Sequence, residues 1–281
     1  METFTTVKRT KQYIERLKKQ GKSIGFVPTM GALHEGHLEL MRCAKKDNDI
    51  LSVSIFVNPI QFNNKEDLVK YPRDLYSDIR KLEEVGCDLL FIPTEQEMYP
   101  EGTPQEKYDF GSLETVMEGA FRPGHFNGVA VVVKRLFDVI SPDKAYFGEK
   151  DFQQLAIIKK LTEMVKSPVE VVPCPIVREP DGLAMSSRNL RLSKEARKLA
   201  AMIYWILRES VKRKNSKSPV ELKEWVRRKF DEIEDFDLEY FEIADEETLQ
   251  PVEAWDEKRK TRGFVAVYLD GVRLIDNIAY D

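Results

Sequence analysis

Hydrophobic and polar positions change period repeatedly along the chain, and each change marks an element. From Thr6 to Gln20 the apolar positions Val7, Tyr13, Ile14 and Leu17 suit one face of a helix, which Gly21 closes. Ile24–Val27 is a short apolar run, as expected for a strand buried on both faces. A helix over His34–Lys46 follows, then a second strand, Ile50–Val57, ended by Asn58-Pro59. Asp74–Val85 reads as a helix stopped by Gly86, and Asp88–Ile92 as a third strand ended by Pro93. This β-α-β-α-β alternation predicts an α/β fold built on a doubly wound parallel sheet. Ligands in such sheets bind beyond the carboxyl ends of the strands.

Further on, Asn127–Ile140 is apolar without a clear period, and its length favours a helix. A strand over Lys144–Phe147, a helix over Asp151–Val165 and a strand over Val169–Val172 complete the first pattern, with Pro173 and Pro175 at its exit. The pattern then changes. Ser193–Arg213 reads as one long helix with Ser193 as N-cap, and Pro219–Ile233 as another with Ser218 capping. Leu238–Ile243 is a strand, and Arg262–Leu269 with Val272–Ala279 forms a hairpin across Asp270-Gly271. The expectation is two domains, 1–177 and a smaller α+β C-terminal domain, 178–281.

Composition narrows the partners. A hydrophobic content of 42% supports a substantial core, and a net charge of −4 gives no global basic field for nucleic acid. The basic run Lys212–Lys217 lies between two predicted helices and reads as a solvated connection. Cys43, Cys87 and Cys174 are scattered and odd in number, which suits a reducing compartment and argues against a disulfide framework or zinc knuckle. The first twenty residues lack the apolar centre of a secretory signal, and no apolar run reaches membrane-spanning length. A cytoplasmic protein with no nucleic-acid or membrane partner is expected.

The candidate chemistry sits at strand ends. Pro28-Thr29-Met30-Gly31-Ala32-Leu33-His34-Glu35-Gly36-His37 joins the first buried strand to a helix start. A helix N-terminus offers backbone N–H groups and partial positive charge to an anion, phosphate above all. His34 and His37, three residues apart, share one side of that turn, and Gly36 admits a ligand close to the backbone. A zinc site and a solvated histidine pair are the rival readings. Helical zinc motifs space their histidines four apart, and no Cys or Asp cluster stands ready as further ligands. Phe147-Gly148-Glu149-Lys150-Asp151-Phe152-Gln153-Gln154 again leads from strand to helix start, with Lys150 a point charge suited to phosphate. Met185-Ser186-Ser187-Arg188 follows the turn Glu179–Gly182 and brings two hydroxyls and a guanidinium. Such a loop suits β and γ phosphates, although alone it would read as an ordinary connection. His125, Tyr71 and Arg73 either line a site or serve packing.

The H-x-G-H turn followed by a serine-rich basic loop resembles the nucleotidylyltransferase and class I aminoacyl-tRNA synthetase superfamily. More narrowly, PTMGALHEGH, SIFVNPIQF, YPRD, FRPGHFNGV, FGEKDFQQ and DGLAMSSRN together resemble the pantoate–β-alanine ligase family. That resemblance implies a Rossmann-like N-terminal domain, a smaller C-terminal lid and a homodimer. It implies condensation of pantoate with β-alanine using ATP and Mg²⁺, through a pantoyl adenylate, giving pantothenate, AMP and pyrophosphate. It places ATP at Met30, Gly31, Ala32, Leu33, His34, Glu35, Gly36 and His37, at Gly148, Glu149, Lys150 and Asp151, at Val177, and at Met185, Ser186, Ser187 and Arg188. It places pantoate at Gln61 and Gln154, with β-alanine also near Gln61, and assigns no residue as a metal ligand. His37, His34 and Lys150 take the catalytic roles, His37 as proton donor. Ser187 and Arg188 stand where the wider superfamily carries lysine and serine, which suits the narrower family. The rival is a nucleotidylyltransferase that leaves the nucleotide on its product.

Overall fold

Residues 1–280 are described in the computed structural model. They form two compact units. The first comprises Met1–Phe110, Arg122–Glu149 and Gln154–Pro175. Its six strands are β1 (Glu2–Phe4), β2 (Ile24–Thr29), β3 (Ile50–Ile55), β4 (Leu89–Phe91), β5 (Lys144–Gly148) and β6 (Glu170–Cys174). They run parallel in the order β1-β4-β3-β2-β5-β6. The intervening helices are α1 (Val7–Lys19), α2 (Glu35–Asp47), α3 (Lys65–Lys70), α4 (Leu75–Val85) and α5 (Glu95–Met98). After them come α6 (Met117–Phe121), which belongs to the second unit, α7 (His125–Ile140) and α8 (Phe152–Met164). The doubly wound α/β arrangement expected from the alternation is present. No helix among the described residues is long and apolar enough to cross a membrane.

Strand order positions the site. From β2 the chain winds to β3 and β4 on one side, then crosses to β5 and β6 on the other. The reversal lies between β2 and β5, and the crevice of an open α/β sheet opens at the carboxyl ends of those strands. Val27, Leu51, Val53 and Leu90 are fully buried against Met41 and Ala44 of α2 and Leu82 of α4, which fixes the helix layer on the sheet. Each such side chain contributes about 1.5–3 kcal/mol relative to exposure. Pro28 lies in β2 without breaking the sheet, because β5 pairs with β2 at Gly25 and Phe26. Pro173 is tolerated in β6 because that strand is an edge. The sequence pattern does not predict β1: three residues show no period, and the strand exists through its pairing with β4.

The second unit takes Gly111–Phe121, Lys150–Gln153 and the chain from Ile176 onward. The sequence predicts a single cut at 177/178; here two short segments from earlier in the chain also join the C-terminal part. Arg273 explains this physically, donating to both Glu118 carboxylate oxygens at 2.8 and 2.7 Å, while Gln153 ties the two short segments to each other. The Gln153 amide donates to the carbonyls of Leu113 and Val116 at 2.8 and 2.9 Å and accepts from the Glu118 N–H at 3.0 Å. Strands β7 (Phe236–Asp245), β8 (Thr261–Leu269) and β9 (Val272–Ala279) form an antiparallel sheet. It packs with α9 (Lys194–Leu199), α10 (Ala201–Val211) and α11 (Pro219–Asp231) around Ile203, Leu222, Val226, Phe230, Ile243 and Val267. The expected long helix over Ser193–Arg213 is interrupted at Ala200, where the Ile203 N–H bonds the Ala200 carbonyl three residues back and tightens the turn. The β8–β9 hairpin turns on Asp270 (φ +55°) and Gly271 (φ +68°), the positive pair that a type I′ turn demands.

Candidate active site

In the first unit the turn after β2 is built from outside. Thr29 Oγ1 donates to the Ser54 carbonyl at 2.7 Å and accepts from the Gly31 N–H at 3.2 Å. Asp78, on α4 and 2% exposed, accepts from the N–H groups of Ala32 at 2.9 Å and Leu33 at 2.7 Å. Lys81 Nζ donates to the Leu33 carbonyl at 2.6 Å. Three consecutive N–H groups of the turn are thus engaged inside the protein. The first turn of α2 follows, opening with the N–H groups of Glu35 and Gly36, while the His37 N–H bonds the His34 carbonyl at 2.8 Å. His34 is the N-cap residue of that helix, and its ring centroid lies 4.0 Å from that of His37. His37 Nδ1 accepts from the His34 N–H at 3.3 Å, so a neutral His37 ring carries its proton on Nε2.

Gln61 belongs to the same unit, on a short 3₁₀ turn, Pro59–Gln61. Its Nε2 lies 3.1 Å from Met30 Sδ, which joins the pantoate candidate to the first residue assigned to ATP. Asn58, 1% exposed, donates to Gln61 Oε1 and to the Gly128 carbonyl, each at 3.2 Å, and accepts from the Tyr99 hydroxyl at 2.9 Å. Gly128 is a space requirement, since a Cβ there would sit 2.5 Å from the Ile60 carbonyl oxygen. His125 is buried and its Nδ1–H donates to the Gln61 carbonyl at 2.8 Å, so it supports the Gln61 backbone. Tyr71 is buried edge-on against Phe62, and Arg73 donates to the carbonyls of Tyr71 and Leu68. Those contacts favour packing for both. Gly148 ends β5, and Gln154 lies on α8.

Glu149 closes its segment of the first unit, and the second unit holds Lys150, Asp151, Val177 and Met185–Arg188. Lys150 lies in the 3₁₀ turn Glu149–Asp151, with Nζ 3.6 Å from Asp151 Oδ2. Val177 and Met185 are brought together, the Met185 N–H bonding the Val177 carbonyl at 3.0 Å as a small hairpin turns at Glu179–Gly182. Gly182 (φ +95°) is required there, because a Cβ would sit 2.4 Å from Tyr204 Cδ1. Arg178 lies 3.7 Å over the Tyr204 ring and makes a two-pronged pair with Asp276 at 2.6 and 2.9 Å. Burial pushes the Asp276 carboxyl above its ordinary range, with the Arg178 charge opposing. Ser186 caps the turn Ser187–Arg191, its Oγ accepting from the Arg188 N–H at 3.3 Å, and a hydroxyl in that role still carries a donor.

The sequence motifs do not single out the supports Asp78, Lys81 and Asn58. One signal for Asp78 is present: it falls on the same face of α4 as Leu75, Ile79 and Leu82, where a carboxylate needs a reason.

A family model described as pantoate-beta-alanine ligase matches residues 2–279. A pantothenate synthetase of Christiangramia forsetii is 54% identical over 280 residues, 99% of both chains. One from Azobacteroides pseudotrichonymphae is 50% identical over 281 residues, all of both chains. The crystal structure of pantothenate synthetase from Thermus thermophilus matches with a TM-score of 0.92 at 43% identity, covering 100% of this chain and 99% of that one. The pantoate-beta-alanine ligase of Francisella tularensis, solved with beta-gamma ATP and beta-alanine, matches with a TM-score of 0.84 at 36% identity, covering 100% and 98%. With a turn, a sheet and a C-terminal unit of the kind described above, and with these relatives matched end to end, the chain belongs to the pantoate-beta-alanine ligase family.

Proposed function

We propose that this ligase condenses pantoate with β-alanine through an enzyme-bound pantoyl adenylate, releasing AMP and pyrophosphate. The observation that carries the reading is the first turn of α2, where two imidazoles 4.0 Å apart stand on a helix N-terminus at the carboxyl end of a central strand. That turn suits a triphosphate.

In the first step a pantoate carboxylate oxygen attacks the α phosphorus of ATP. The new P–O bond forms as the bond to the bridging oxygen breaks, and the negative charge leaves with pyrophosphate. Donors placed where that charge develops lower the barrier. In the first unit His37 Nε2–H, with His34 beside it, is suited to this role; the family resemblance assigns the same role to the Lys150 ammonium, the Ser186 and Ser187 hydroxyls and the Arg188 guanidinium. In the second step the neutral β-alanine amine attacks the acyl carbonyl, the C–N bond forms as the C–O bond to AMP breaks, and the nitrogen gives up a proton to solvent. Gln61 and Gln154 are neutral amides, so they orient hydroxyl groups and do not move protons. Among the described residues no three His, Cys, Asp or Glu side chains converge on one point. Mg²⁺ carried on the ATP phosphates would neutralise charge there. The same reading takes the enzyme as a cytoplasmic homodimer, with its three cysteines as free thiols.

Mass spectrometry of enzyme mixed with ATP, Mg²⁺ and pantoate tests the reading. Pantoyl–AMP should accumulate on the protein and discharge to pantothenate and AMP when β-alanine is added. A nucleotidylated product that survives the amine would reject it.

A further inference from the structure

We propose that Asn277, on the C-terminal strand β9, is a positioning residue for Lys150 and through it for adenylate formation. This rests on the reading of Lys150 as a phosphate-binding group. Asn277 is 1% exposed. Its Oδ1 accepts from Arg262 Nη1 at 2.7 Å, and its Nδ2 donates to the Lys150 carbonyl at 3.0 Å. Arg262 can only donate and the carbonyl can only accept, so the two neighbours fix which way the amide points. The partner in sequence lies 127 residues away.

Lys150 needs such an anchor. It sits in a three-residue 3₁₀ turn, a conformation with little persistence of its own. Its side chain is only 18% exposed, so a shift of the main chain carries the ammonium with it. Behind Asn277 the support continues. Arg262 is held by Glu246 at 2.8 Å and lies 4.4 Å over the ring of Phe152, two residues beyond Lys150. The preceding residue, Asp276, grips Arg178, the neighbour of Val177. One step along β9 therefore holds two of the candidate ATP segments. The hairpin does more than complete a small sheet.

The test uses the full-length enzyme. Asn277→Asp keeps the volume and the acceptor toward Arg262 but cannot donate to Lys150. Asn277→Ala removes the donor without adding charge. Pantoate-dependent exchange of pyrophosphate into ATP reads adenylate formation, and a chase with β-alanine reads capture. Both variants should lose about ten- to hundredfold in the maximal exchange rate, the scale of a misplaced catalytic group. The KM for β-alanine and the capture rate should be unchanged. In a Lys150→Ala background the same substitutions should add less than about twofold, because coupled sites are not additive. Full exchange by either variant, or an undiminished further loss in the Lys150→Ala background, overturns the proposal. If Lys150→Ala alone exchanges at the wild-type rate, the parent reading of Lys150 fails and Asn277 has nothing to position.

Discussion

Asp78 and Ala32 are 46 residues apart in the chain, yet one carboxylate oxygen of Asp78 accepts the Ala32 N–H at 2.9 Å. Ala32 has φ +49°, a left-handed conformation that costs an alanine about 1–2 kcal/mol. The other oxygen takes the next N–H, that of Leu33, at 2.7 Å. A buried acid thus dictates the backbone that leads into His34.

Asp78→Ala should therefore cost stability and disturb ATP binding together. Two buried N–H groups lose a charged acceptor, a loss of about 2–4 kcal/mol. Urea unfolding should show it, and the KM for ATP should rise. Asp78→Asn should not restore the wild type, because its amide N–H₂ would face one of the two N–H donors. A stable Asp78→Asn enzyme with unchanged KM would show that the turn holds its shape without the acid.

His37→Ala should slow adenylate formation by about 10²–10⁴-fold, the usual worth of a positioned proton donor. The substitution also removes the acceptor for the His34 N–H. His37→Asn separates the two effects, since its amide oxygen can replace Nδ1 but nothing replaces the distal N–H. Single-turnover rates should be slow in both variants, with thermal melts near wild type. A His37→Asn enzyme at full rate would reduce His37 to a helix cap.

These variants divide along what the sequence shows. The period changes at Ile24, Ile50 and Asp88 are legible because buried parallel strands need largely apolar runs of small or branched residues, and their helices need an apolar stripe. The candidates His34, His37, Gln61, Lys150 and the Met185–Arg188 loop can be named from the sequence because they sit in dense motifs. Their supports are not. Asp78 reaches back 46 residues to Ala32, and His125 reaches 64 residues to Gln61. Asn277 reaches 127 residues to Lys150. No local pattern encodes a bond of that span. The assignment of Gly111–Phe121 to the second unit has the same origin, in the grip of Gln153 and of Arg273 on Glu118.

The cysteines should differ in reactivity. Burial pushes the Cys87 thiol up to about 12. Burial, with Cys43 beside it, does the same for Cys174, to about 12. Both thiols therefore stay protonated and unreactive near neutral pH. Iodoacetamide should modify half-buried Cys43 first in the native enzyme, and Cys87 and Cys174 only in urea. Peptide mapping checks this. Cys174 labelled as fast as Cys43 would mean that the end of β6 opens readily in solution.

The turn ahead of the serine loop should lose support in acid. Arg197 donates to Asp181 at 2.6 and 3.3 Å and holds its carboxyl below the ordinary range. Between the lowered folded value and the ordinary value of about 3.9, the unfolded chain binds more protons. The contribution is therefore complete above the ordinary value and disappears as pH falls through the folded one. The Asp181 side chain is 40% exposed, so solvent screening limits the effect to about 0.5–1 kcal/mol. Asp181→Asn keeps an acceptor for the Leu183 N–H but not the charge. In urea titrations its deficit against wild type should be full at about pH 7 and shrink as pH falls below the ordinary carboxylate value. A deficit that stays constant across that range would trace the loss to packing of the Glu179–Gly182 turn, since only a charge effect can be titrated away.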